Sequence, residues 1–157
     1  MAHDLIADDE RQRLEALIDA WLDGEVDPDG TIVAVVKETE PASTDVRWYV
    51  RIHGEQKDVY TVWLTLSQRA LHYETYLMPA PEENEALLYE HLLRRNRKLL
   101  GIALAIGIED AIFLVGETPV EMVDDAELDR VIGTVFDAVE LCFRPAMRIG
   151  YASKFMG

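Results

Sequence analysis

The sequence predicts an α+β fold in which an antiparallel sheet is flanked by helices, in the order α-(β)-β-β-β-α-β-β-α. Three observations predict it. Between Arg47 and Leu77, three runs alternate apolar and polar side chains with period two, and only short turns separate them. Near either end of the chain, Asp8–Leu22 and Leu128–Phe143 carry apolar residues at helical spacing. Between the meander and the last helix lie one more amphipathic helix, Pro81–Lys98, and two short apolar runs.

In the first helix, Leu14, Leu17, Ile18, Trp21 and Leu22 form one stripe. Asp8, Asp9 and Glu10 suit the positive end of its dipole, and Gly24 is a natural stop. Trp21 is expected to anchor this helix to the core rather than to meet a ligand. Asp27–Gly30 (DPDG) is a turn. Thr31–Glu38 (TIVAVVKE) is β-branched and suits a strand, but so short an apolar run also suits a helix or an ordered loop. Glu40–Asp45 is expected to be a loop.

In the meander, Trp48, Val50 and Ile52 oppose Arg47, Tyr49, Arg51 and His53. Tyr60, Val62, Leu64 and Leu66 oppose Val59, Thr61, Trp63 and Thr65, and Leu71, Tyr73, Thr75 and Leu77 oppose His72, Glu74 and Tyr76. Turns at Gly54–Gln56 and Ser67–Gln68 make the strands antiparallel neighbours. One face is apolar enough to meet helices. The other is polar but rich in aromatics, where packing against water alone explains Tyr49, Trp63 and Tyr76 poorly.

Met78–Pro81 (MPAP) marks a crossover. Helix Pro81–Lys98 has acids in its first turns and bases in its last, matching its dipole. Its wide apolar face, with Leu88, Tyr89 and Leu92, suggests contact with a second subunit. Gly101 ends it. Ile102–Ile108 and Ala111–Val115, split by Glu109–Asp110, read as a hairpin of buried strands, and Gly116–Pro119 breaks the pattern. Asp124 and Glu127 have the spacing of a capping box for the last helix. Pro145 should end or kink that helix, and part of the apolar tail should dock.

A chain of 157 residues with an apolar fraction of 49% forms one domain. Residues 1–45 are an acidic helix and loop, 46–150 a core and 151–157 a tail. The single cysteine, Cys142, excludes an internal disulfide and suits a reducing compartment. The start lacks the pattern of a signal peptide, and no apolar run has membrane-spanning length, so a cytoplasmic protein without membrane contact is expected. Net charge is −15, with −10 in residues 1–45, +1 in 46–108 and −8 in 109–144. That balance disfavours nucleic acid. The acid reads as a solubility feature more readily than as a site for a basic partner.

No motif fixes a reaction. His53, His72 and Glu74 could gather on the sheet as a metal site, but solvated residues are the stronger reading. Cys142 lies on an apolar stripe and reads as a small core residue. The glycines form no phosphate loop. No catalytic, cofactor or metal residue is assigned. The candidate partner-binding face is Tyr49, Arg51, Trp63, His72, Glu74 and Tyr76.

Met78–Asn96 (MPAPEENEALLYEHLLRRN) and Ile112–Gly133 (IFLVGETPVEMVDDAELDRVIG) resemble the two signature stretches of the YbjN family in its actinobacterial form. The resemblance covers about Arg47–Gly150. It implies a regulator of sensory transduction with a fold similar to the type III secretion chaperones, which are dimers holding an extended client segment. The resemblance carries no catalytic motif. The expected function is therefore a non-enzymatic, dimeric protein-binding module with a protein client, with a small-ligand sensor as the alternative and a metal-dependent hydrolase as a weaker one.

Overall fold

In a computed structural model, the chain is described over residues 7–39 and 45–155. The loop expected at Glu40–Asp45 lies, apart from Asp45, outside those residues. Among the described residues, three α-helices, α1 (Asp8–Glu25), α2 (Glu85–Asn96) and α3 (Asp125–Gly150), accompany six strands. These are β1 (Ile32–Thr39), β2 (Val46–His53), β3 (Val59–Leu66), β4 (Ala70–Met78), β5 (Ala103–Ile106) and β6 (Ile112–Pro119). They form one antiparallel sheet of order β1-β2-β3-β4-β6-β5.

The meander has the predicted inward set. Trp48, Val50 and Ile52 of β2 pair with Leu64, Val62 and Tyr60 of β3, and all six are buried. Helices α1 and α3 cover this inner face. Leu14, Ile18 and Leu22 of α1 and Leu128, Val131, Val135, Val139 and Cys142 of α3 are buried on it. Full burial of one such aliphatic side chain contributes about 1.5–3 kcal/mol, so these two stripes are what hold the layers together. Polar contacts set the angle of α1. The Trp48 indole donates to Asp19 at 2.9 Å, and Lys37 donates to Glu15 and Asp19 at 2.6 and 2.9 Å.

Several boundaries differ from the sequence expectation. Helix α1 passes through Gly24 and ends at Glu25, where the Val26 N–H still bonds the Leu22 carbonyl. Thr31–Glu38 does contain a strand, β1, on the sheet edge. Helix α2 is shorter than Pro81–Lys98, because the crossover extends to Asn84, a left-handed residue at φ 54°. Strand β6 runs through Gly116–Pro119 instead of breaking there. A Cβ at Gly116 would lie 2.4 Å from the Tyr73 ring and 2.7 Å from the Gly101 carbonyl, so this glycine permits close approach within a strand. Helix α3 contains Pro145 without ending. The carbonyl that loses its donor belongs to Leu141, on the exposed side of the helix, where loss of one bond costs less than in the core. Half of the expected capping box forms: Asp124 Oδ1 accepts from the Glu127 N–H at 2.8 Å, while the Glu127 carboxylate accepts from Arg130 at 2.6 and 2.7 Å.

Two further features fix the ends of the sheet. At the β5 edge, the Asn96 carboxamide pairs with Leu104 as a strand would. Its Nδ2 donates to the Leu104 carbonyl at 3.1 Å, and its Oδ1 accepts the Leu104 N–H at 2.7 Å. Near the other end of α2, the crossover is tied to the C-terminal turn. The Gly150 carbonyl accepts both the Glu82 and Glu83 N–H groups at 3.0 Å, and Tyr151 donates its hydroxyl to the Ala80 carbonyl. The tail docks as expected, with Phe155 edge-on to Phe143 at 6.3 Å.

Candidate functional site

The outer face of the sheet carries the predicted partner-binding residues in two neighbouring rows plus a third. Strand register places Glu38, Arg47, Thr65, His72 and Glu117 side by side across β1, β2, β3, β4 and β6. The next row is Val36, Tyr49, Trp63, Glu74, Val115 and Ala103. Beyond it, Ala34 pairs with Arg51 and Arg51 with Thr61, while Tyr76 pairs with Phe113. Each row exists because alternate residues of a strand share a face.

Tyr49 and Trp63 form the centre. Their rings stand edge to face, 6.3 Å apart at 84°. The Arg47 guanidinium lies 6.0 Å from the Trp63 ring, and its Nε donates to Thr65 at 3.2 Å. Tyr49 donates its hydroxyl to Glu38 at 2.9 Å. His72 Nδ1 lies 3.2 Å from Glu117, with both side chains at least half exposed. Between these groups is a depression of about 320 Å³, bordered by Arg47, Trp63, Thr65, His72, Glu74 and Val115. The centre thus offers aromatic edges, one stacked guanidinium and carboxylates in an apolar setting, a combination suited to contact with a protein surface.

At the other end of the face, Tyr76 stands edge-on to Phe113 at 5.7 Å. Lys57, from the β2–β3 turn, lies 5.1 Å from the Tyr76 ring and 5.4 Å from Phe143. It donates to the carbonyls of Tyr76 and Leu77 at 2.7 and 2.9 Å. Burial pushes its ammonium down to about 8. Glu140 of α3 holds the same turn by accepting the Glu55 and Gln56 N–H groups at 2.6 and 2.7 Å.

The structure separates the proposed metal ligands. His53 pairs with Val59 and His72 with Thr65, toward opposite ends of β3. Six residues of strand separate them by roughly 20 Å. Among the described residues, no group of three or more His, Cys, Asp or Glu could hold a metal. Cys142 is buried, and burial pushes its thiol up to about 11.

The candidate dimer helix needs a correction of detail. Leu88 and Leu92 are buried in the protomer's own core. They face inward because α2 lies between α3 and β5 and needs its own apolar contacts there. The apolar groups that α2 leaves outside are Leu87 and Leu93, 56% and 70% exposed. Tyr89 and Leu93 border a groove of about 450 Å³ that Ala105 and Ile106 complete from the β5 edge. Sequence reasoning missed Val36, Glu38, Phe113 and Val115 on the outer face. The alternation of Ala34, Val36 and Glu38 was the available signal for the first two.

Comparison with known proteins matches residues 34–146 to the YbjN family model, described as "Putative bacterial sensory transduction regulator". An uncharacterized protein of Mycobacterium tuberculosis is 34% identical over 105 residues, covering 67% of this chain and 57% of that protein. An uncharacterized protein of Mycobacterium leprae is 32% identical over 109 residues, covering 69% of this chain and 59% of that protein. The chain therefore spans less than two thirds of the length of these relatives. Among the described residues, no helix is long and apolar enough to cross a membrane.

Proposed function

This chain belongs to the YbjN family, and from that premise we propose that it is a non-enzymatic protein-binding module that regulates by holding a segment of a client protein. The observation that carries the reading is the Tyr49–Trp63 pair with Arg47 stacked beside it, on the sheet face opposite the helices. Large aromatics beside arginine are the residues enriched where proteins meet. Glu74, paired with Trp63 across the strands, and Arg51, one row further along, supply polar selection, His72 adds a further donor, and Tyr76 extends the aromatic surface at the other end of the face. The space between sheet and helices is filled by side chains such as Trp48, Tyr73 and Met78, each no more than 1% exposed. That packing favours a client on the outer face over a small ligand held inside.

The test is affinity capture from native lysate, read by mass spectrometry, with wild type against the Tyr49→Ala, Trp63→Ala double variant. The reading expects a specific protein retained by wild type and lost by the variant at unchanged folding. An identical protein profile for both sinks it. We further propose a homodimer that uses the exposed side of α2, through Tyr89 and Leu93, with Leu88 and Leu92 supporting that helix from within. Sedimentation giving a monomer at micromolar concentration would exclude that assembly. A cytoplasmic site of action follows from this role and suits a chain with one buried thiol.

A further inference from the structure

A second recessed surface lies on the helical side of the molecule, away from the outer sheet face. It is a cleft of about 470 Å³ between the last turn of α1, the turn into β1 and the middle of α3. Its floor is apolar: Trp21 and Ile32 on one side, Ile132 and Phe136 on the other. Trp21 and Phe136 are only half-buried, so each offers part of a ring to the opening. Its rim carries three carboxylates, Glu25, Asp27 and Asp129, and no basic residue lines it. Among the described residues, neither Glu25 nor Asp129 has a cationic partner. The rim thus joins two carboxylates from the end of α1 and the turn after it with one from α3.

Gly133 is an independent observation. It occupies the interior of α3, where glycine is less favourable than alanine. A Cβ built there would meet nothing within 4 Å, so no contact inside the protomer requires its absence. Gly133 lines the cleft, so a long side chain at this position would take up space in it. A helix that carries this disfavoured residue at the wall of an aromatic cleft is shaped for close approach from outside.

We propose that the cleft seats an arginine-bearing segment of a partner protein. The guanidinium faces the rim carboxylates, which its planar fork matches, and the aliphatic stem lies on Trp21 and Phe136. Charge complementarity selects the occupant: an acidic rim over an apolar floor favours a basic segment with apolar stems over an acidic or purely polar one. This surface is separate from the sheet face and does not depend on what that face binds.

The test uses the full chain and a short peptide alternating arginine and leucine, against the same peptide with glutamine for arginine. Binding is followed by calorimetry at two salt concentrations. The arginine peptide should bind at least about tenfold tighter, with the advantage shrinking at high salt. The Glu25→Gln, Asp129→Asn pair should remove about tenfold of that affinity, and Gly133→Leu should do the same by filling the cleft without lowering the melting temperature. A remote pair with the same charge change, Glu85→Gln with Asp110→Asn, should alter binding less than about twofold. Equal loss from the remote pair would show diffuse attraction and overturn the proposal. So would undiminished binding by a folded Gly133→Leu protein, or a change in oligomeric state on altering the rim, which would assign the cleft to a second copy.

Discussion

Asn96 offers the sharpest single perturbation. Its carboxamide makes two hydrogen bonds to the Leu104 backbone, at 2.7 and 3.1 Å, on a residue only 7% exposed. Asn96→Ala deletes both bonds and leaves a backbone donor and acceptor at a sheet edge where water has restricted access. Each net bond is worth about 1 kcal/mol, and an unsatisfied buried partner adds to that. The expected loss is therefore about 2 kcal/mol, or a fall in melting temperature of roughly 4–8 °C for a chain of this size. Urea unfolding measures the first quantity and calorimetry the second. Amide exchange supplies a local check, because the Leu104 N–H should lose protection while amides of β2 and β3 keep theirs. A stability change below about 0.5 kcal/mol, with Leu104 protection intact, would refute the idea that this side chain completes the sheet.

Other outcomes follow from the same contacts. Gly133→Ala should raise stability by about 1 kcal/mol in urea unfolding, since the new methyl meets nothing; a loss would mean the position is crowded. Tyr49→Ala with Trp63→Ala should remove about 0.5–1.5 kcal/mol of ring–ring contact plus the partial burial of two partly exposed side chains, and should leave the fold intact, because the pair sits on the outer face. A much larger loss would make them core residues. Asp124→Ala should cost about 1 kcal/mol through loss of the cap on α3, measured by thermal unfolding. The Cys142 thiol should resist a disulfide reagent at pH 8 in the native protein and react fully in denaturant. Its raised pKa means the folded state keeps a proton that the unfolded chain releases, so its contribution to stability falls as pH rises from about 8.5 to about 11. Lys57 acts in the opposite sense, since its lowered pKa favours the folded state as pH rises from about 8 to about 10.4. Cys142→Ala and Lys57→Met, followed by melting curves across this range, should change the slope in opposite directions.

The meander was readable because its inner residues alternate without a fault from Trp48 to Leu77, so each face is specified by the pattern itself. The α3 stripe was readable for the same reason, and its cap was visible as Asp124 and Glu127 three residues apart. What local pattern could not carry was pairing across long separations. Gly116 looks like a break until Tyr73 is known to lie beside it. Asn96 reads as one more helix residue until β5 arrives next to it. Leu88 and Leu92 looked available for another subunit because the sequence does not say that α3 and β5 already cover them. Of the two outcomes expected at Pro145, an end or a kink, α3 does not take the first, because its turns on either side stay packed through Cys142 and Ala146. Alternation alone assigns Tyr49, Arg51, Trp63, His72, Glu74 and Tyr76 to one face of the sheet, whereas Val36 and Glu38 depended on a strand that so short a run, TIVAVVKE, left undecided. The cleft beside Gly133 joins residues about a hundred positions apart, and charge content alone gave no hint of its shape.

The knot of hydrogen bonds between the β4–α2 crossover and the end of α3 also bears on how the protein is made. Tyr151 reaches back across 71 positions to Ala80, and Gly150 holds Glu82 and Glu83. A ribosome delivers β1 and the three-stranded meander long before it delivers α3. At about 5–20 residues per second, that interval is roughly 4–14 seconds. During it, Trp48, Leu64, Tyr73 and Leu77 form an apolar sheet surface with only α1 to shield it, and the crossover has nothing to latch onto. Nascent chains stalled before residue 150 should therefore be the species that recruit general chaperones, and translation speed through the stretch encoding α2, β5 and β6 should govern the yield of folded protein.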